Sequence, residues 1–178
     1  MLQFGASAQD ETITFRSFYD SLSFALGAEN GLQLFQGGRN MEMLDKFALV
    51  RGFQSNLFGD PVESTCRETL EQFLGETGTE FNTNYLKAGS TCLGSFMSFE
   101  FYNQMKELQY LEDLNMSLVL KGFKKGTFNE YEKYLSLKQI AALLDRFLEI
   151  VQGDKITEIS RNDALFWKWF YRIRLFSR

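Results

Sequence analysis

The segment AGSTCLGS sets Ser90, Thr91 and Cys92 side by side. Such side chains attack carbonyl or phosphoryl centres once a neighbouring base takes their proton. The usual base is missing, because the chain contains no histidine. A lysine could replace it, yet no S-x-x-K spacing occurs around this segment. The same lack of histidine removes His-based triads, His-ligated haem and most zinc sites. Glu63, Glu68 and Glu71 fall within one stretch and could form an acid/base pair, but a solvated helix face accounts for them as well. GLQLFQGGRN has paired glycines without the spacing of a phosphate loop. The expectation is a non-enzyme with neither cofactor nor metal site.

Charge points elsewhere. The net charge is −4 over 178 residues, which argues against an indiscriminate polyanion binder, but it is unevenly spread. Residues 1–120 hold 7 Lys/Arg against 16 Asp/Glu, a balance of −9, and residues 121–178 hold 12 against 7, a balance of +5. Exposed charges are screened within about 10 Å, so a local basic face outweighs the sum. Acidic and basic halves attracting one another would explain the same division.

Two segments concentrate the cations. KGFKKG places Lys121, Lys124 and Lys125 among glycines, with no acidic residue before Glu130. It reads as a flexible loop between helices that contacts phosphates without reading bases. The segment DALFWKWFYRIRLFSR reads as a helix started by Ser160 and Asp163. At 100° per residue, Leu165, Phe166, Trp169, Ile173 and Phe176 share a buried arc. Trp167, Tyr171, Arg174 and Arg178 fall opposite, with Lys168 and Arg172 at the flanks. That second face suits a subunit interface rich in Trp, Tyr and Arg, a membrane-surface helix, or a nucleic-acid contact in which cations meet phosphates and rings stack on bases.

These segments need elements to position them. One proline and helical periodicity predict an all-α fold of about eight helices in two small helical subdomains, residues 1–88 and 89–178. A first helix is expected from Thr14 to Leu26, stopping near Gly27. A second runs from Met41 to Phe58, capped by Asn40 and burying Leu44, Phe47, Ala48 and Leu57. GDPVE predicts a third, with Asp60 as cap and Pro61 in its first turn. It turns Val62, Cys66, Leu70, Phe73 and Leu74 inward and ends at Gly75. A long helix is expected from Ser95 to Leu120. A further helix ends near Gly153 and begins at Phe128 or at Leu137, because TFNE and SLKQ both have capping-box spacing.

No run of about 20 apolar residues is present, so no membrane span is expected. The N-terminal segment lacks the pattern of a secretory signal. Cys66 and Cys92, two cysteines without a CxxC partner, are expected as buried free thiols in a reducing, cytoplasmic setting.

The size of the chain, its histidine-free helical pattern and its basic aromatic segment FWKWFYRIRLF resemble the closterovirus RNA-silencing suppressors of about twenty-one kilodaltons. The resemblance implies an all-helical subunit of a ring-like homo-oligomer that sequesters RNA, small duplexes included, in the host cytoplasm. The residues themselves lead to a related expectation: sequence-nonspecific RNA binding by Lys121, Lys124, Lys125, Lys168, Arg172, Arg174 and Arg178, with Trp167 and Tyr171 stacking on bases or packing between subunits. The alternative is a helical protein-interaction or structural module, of matrix or coat type, that binds no RNA.

Overall fold

The computed structural model describes residues 12–36, 41–74 and 81–154. Among them are six α-helices and no strand. The helices are α1 (Phe18–Gln36), α2 (Lys46–Ser55), α3 (Thr65–Leu74), α4 (Leu86–Glu107), α5 (Met116–Thr127) and α6 (Leu137–Asp154). Short 3-10 turns at Met41–Met43, Thr83–Tyr85 and Tyr131–Lys133 lie between them. Residue 88, the expected subdomain boundary, lies in the first turn of α4.

Two parallel helix pairs organise the packing: α1 lies on α5, and α2 lies on α4. In the first pair, a Cβ on Gly27 would sit 2.0 Å from the Val119 carbonyl oxygen, and one on Gly31 would sit 2.4 Å from that of Phe123. Reciprocally, a Cβ on Gly122 would meet the Phe24 carbonyl oxygen at 2.1 Å, and one on Gly126 that of Ala28 at 2.2 Å. Each helix therefore presents glycines four residues apart to the other's backbone, so Cα–H groups approach carbonyls across the seam. Glycine in a helix interior costs about 1 kcal/mol relative to alanine, and the close packing offsets that cost. This corrects two expectations. The first helix does not stop at Gly27 but runs through it to Gln36, and KGFKKG is not a loop but the body of α5.

The second pair is richer in hydroxyls than the first, where Ser23 Oγ accepts from the Asn115 N–H at 2.9 Å. Gly52 and Gly94 again admit backbone, a Cβ on either falling within 2.0 Å of a facing carbonyl oxygen. Around them, Ser95 Oγ donates to the Gly52 carbonyl at 3.2 Å. Ser90 Oγ donates to the Leu86 carbonyl at 2.6 Å and accepts from the Asp45 N–H at 3.1 Å. Asp45, rather than Asn40, caps α2, its carboxylate accepting from the Ala48 N–H at 2.9 Å. Asn40 lies outside the described residues.

Between the pairs, Phe53 of α2 and Phe123 of α5 stack at 3.8 Å with planes 9° apart. Both are fully buried, within a cluster that includes Leu22, Leu49, Leu57, Phe101, Met105 and Phe147. A second cluster joins Phe24, Ala28 and Leu118 to Tyr131, Leu135 and Ile140, seating α6. The expected capping box at SLKQ is present: Ser136 N–H donates to Gln139 Oε1 at 2.9 Å, and Gln139 N–H donates back to Ser136 Oγ at 3.3 Å. The start at Leu137 is thus the correct one of the two considered.

Other boundaries differ from expectation. Helix α3 starts at Thr65 rather than at Pro61. The Asn56 side chain holds the backbone carbonyls of Asp60 and Pro61 at 2.9 and 3.2 Å, and so keeps that stretch as a turn. The long helix expected over 95–120 is two helices. Gln109, with φ of 62°, ends α4 in a Schellman motif, in which the Tyr110 N–H returns to the Met105 carbonyl and that of Gln109 to Lys106. Asn115 then caps α5.

The cysteines are not free thiols. Cys66 of α3 and Cys92 of α4 form a disulfide, their Cα atoms 5.1 Å apart. The bridge tethers a short, mostly exposed helix that otherwise buries only Phe73 fully. Beside it, Phe73 stacks on Phe81 at 4.5 Å and covers Gly89.

Candidate nucleic-acid interface

Lys121, Lys124 and Lys125 stand at positions i, i+3 and i+4 of α5, on one side of the helix. The opposite side, with Val119, Gly122, Phe123 and Gly126, is the buried one. A rigid helix face thus replaces the expected mobile loop. The lysines differ in availability. Lys124 is exposed and Lys121 half-buried.

Lys125 is held. The helix ends in a second Schellman motif, with Asn129 in the left-handed region at φ 57°. The Glu130 N–H donates to the Lys125 carbonyl at 2.7 Å, and the Asn129 N–H to Gly126 at 3.0 Å. That reversal carries the Glu130 carboxylate to the Lys125 ammonium at 2.9 Å. The hydrogen bond that Lys125 donates to the Glu130 carboxylate raises the ammonium pKa above its ordinary value, and the same bond lowers that of the carboxyl. The Lys125 ammonium also lies 5.6 Å from the Tyr134 ring centroid. Its side chain is only 14% exposed, so it is less accessible to a phosphate than Lys124.

Next to the end of α5 lies a second group of cations that the sequence reading missed. Phe128, the C-cap residue of α5, packs against Phe47 of α2 with ring centroids 4.9 Å apart and planes tilted by 54°. The Lys46 ammonium lies over the Phe35 ring at 4.6 Å and 6.0 Å from that of Phe128. Arg51, one turn beyond Phe47, is also exposed. Phe47 was expected in the core, yet it is 71% exposed, and Phe58 just past α2 is 69% exposed. The buried face of α2 belongs to Ala48, Leu49, Gly52 and Phe53, and Phe47 falls outside it. A legible signal was present, since residues 46–59 contain Lys46, Arg51 and three phenylalanines but no carboxylate.

Lys124, Phe128, Lys46, Phe47 and Arg51 therefore form a patch of cations and aromatic rings across the ends of two packed helices. Asp45 borders it with its carboxylate engaged in capping α2, and Glu42 is exposed nearby in the chain. Lys168, Arg172, Arg174, Arg178, Trp167 and Tyr171 lie outside the described residues.

The residues considered for nucleophilic chemistry are occupied. Ser90 Oγ and Thr91 Oγ1 donate to the helix carbonyls of Leu86 and Lys87, and the Cys92 sulfur is in the disulfide. Among the described residues no three His, Cys, Asp or Glu side chains gather as metal ligands, and no helix is long and apolar enough to cross a membrane. Comparison with protein-family models, with curated proteins and with solved structures finds no match.

Proposed function

We propose that this chain is a non-enzymatic, sequence-nonspecific RNA-binding protein that works as a homo-oligomer, in the manner of a silencing suppressor that sequesters RNA. The observation that carries this reading is the patch on α2 and α5, where Lys46, Arg51 and Lys124 accompany aromatic rings on adjacent helices. Cations there neutralise phosphates and release counterions. The basic aromatic segment at 167–178 extends the same chemistry in the sequence. A disulfide is the chemistry of an oxidising compartment, so a cytoplasmic location no longer draws support from cysteine usage.

The test is the affinity of the full chain for a short RNA across a salt series. The logarithm of the binding constant should fall linearly with that of salt, by about 0.7–0.9 per phosphate neutralised. Lys124→Ala should reduce that slope by nearly one contact. A flat response between low and physiological salt would overturn the reading.

The exposed Phe47 and Phe58 rings favour one competing reading, a helical interaction or structural module. A discrete oligomer that purifies free of nucleic acid and ignores added RNA would select it.

A further inference from the structure

We infer that Phe47 is a stacking platform for unpaired nucleobases, so that the RNA bound by this chain is engaged at single-stranded nucleotides. The inference rests on the RNA-binding reading and adds to it the kind of strand the patch accepts.

An aromatic side chain in a helix of this size ordinarily turns inward, and Phe53, six residues later in α2, is fully buried. Phe47 does the opposite. It contacts one ring, Phe128, at a tilt of 54°, and still leaves 71% of its surface to solvent. Exposing so large an apolar side chain forgoes the stabilisation that burial would bring. Lys46 precedes it and Arg51 follows one turn later; of the carboxylates near the patch in the chain, Asp45 caps α2, Glu130 pairs with Lys125 and Glu42 is exposed. Lys124, one turn before Phe128 on α5, is exposed on the other flank.

That charge complements a strand carrying one phosphate per nucleotide. It does not suit an apolar protein partner, which would have to desolvate the lysines and the arginine. A base stacked on the Phe47 ring would keep its flanking phosphates within reach of these side chains. A flat π-face accepts every base, so the contact adds affinity without sequence preference. Bases inside a duplex already stack on one another and present only their edges, so the platform serves unpaired positions.

The experiment compares the full chain with Phe47→Ala and Phe47→Trp, using a 12-nucleotide single-stranded RNA with a central 2-aminopurine and the blunt duplex of the same sequence. The wild-type chain should change the 2-aminopurine fluorescence of the single strand. Phe47→Ala should abolish that change and weaken single-strand binding about tenfold, with the salt slope intact and duplex binding altered less than about twofold. Phe47→Trp should keep both signal and affinity. Single-strand binding by Phe47→Ala as tight as wild type would overturn the platform and leave the RNA-binding reading standing. Equal losses on single strand and duplex would overturn it too. So would a smaller particle mass with unchanged affinity per protomer, which would make Phe47 a contact between copies of the chain. Failure of the wild-type chain to bind either RNA at low salt would remove the RNA-binding reading, and this inference with it.

Discussion

Where α1 crosses α5, two glycines from each helix meet backbone, and one hydroxyl, that of Ser23, accepts from the Asn115 N–H at the start of α5. Where α2 crosses α4, one glycine from each helix is set among Ser55, Ser90, Ser95 and Ser98. The carbonyl of Gly52, used as a packing surface, there also accepts the Ser95 and Ser55 hydroxyls. A crossing built mainly on glycines depends chiefly on shape, and its tolerance for added atoms is low. A polar crossing depends in addition on every hydroxyl keeping its partner, because a buried group left unsatisfied costs its full desolvation. Covalent reinforcement follows the same division, the single disulfide joining α3 to α4.

The strongest test of this contrast is Gly27→Val. Its first side-chain carbon would fall on the Val119 carbonyl, and a loss of about 4 kcal/mol or more is expected, read as the absence of a cooperative thermal transition. Next comes the double substitution Cys66→Ser and Cys92→Ser. The bridge spans 26 residues, for which chain entropy gives about 3 kcal/mol. Hydrogen exchange should show α3 losing protection while the amides of α1 and α5 keep theirs; equal loss in both pairs would refute the division. Ser90→Ala should cost about 1–2 kcal/mol in denaturant unfolding, because the Asp45 N–H loses its acceptor.

Smaller still is Gly153→Ala. Among the described residues nothing lies within 4 Å of the added carbon, so a gain of about 0.5 kcal/mol is expected, against the large loss at Gly27. Last is Glu130→Gln. The Glu130 carboxyl has its pKa lowered in the fold, so its stabilisation exists above the unfolded carboxylate pKa and fades as pH falls through the lower folded value. The pair is partly exposed, which limits the effect to a few tenths of a kcal/mol. Wild type and variant should therefore converge in acid, while at neutral pH the released Lys125 should raise RNA affinity about twofold.

Much of this architecture could be read from residue order. The helical period of Ile140, Leu144 and Phe147 identified α6 and its end near Gly153, and the Ser136–Gln139 pair marked one of two possible starts, because caps and amphipathic stripes are local properties. The meaning of Gly27, Gly31, Gly122 and Gly126 was not local. A glycine ends a helix or lets another backbone approach, and the deciding partner lies some ninety residues away along the chain. Cys66 and Cys92 were opaque for a like reason, since only α3 lying against α4 brings their Cα atoms to bridging distance. In the interface, Lys121, Lys124 and Lys125 were identified and their setting mistaken. Lys46, Phe47 and Arg51 were missed because a helical phenylalanine among apolar residues reads as core.

The pairing of α1 with α5 encloses that of α2 with α4 along the chain. As the polypeptide emerges during synthesis, the inner pair can close once α4 is complete, while the Phe24 and Ala28 face of α1 waits for α5. Contacts between such remote segments slow folding and prolong the exposure of sticky surface. Helix α1 is therefore more in need of protection than α2 on the way to the native state.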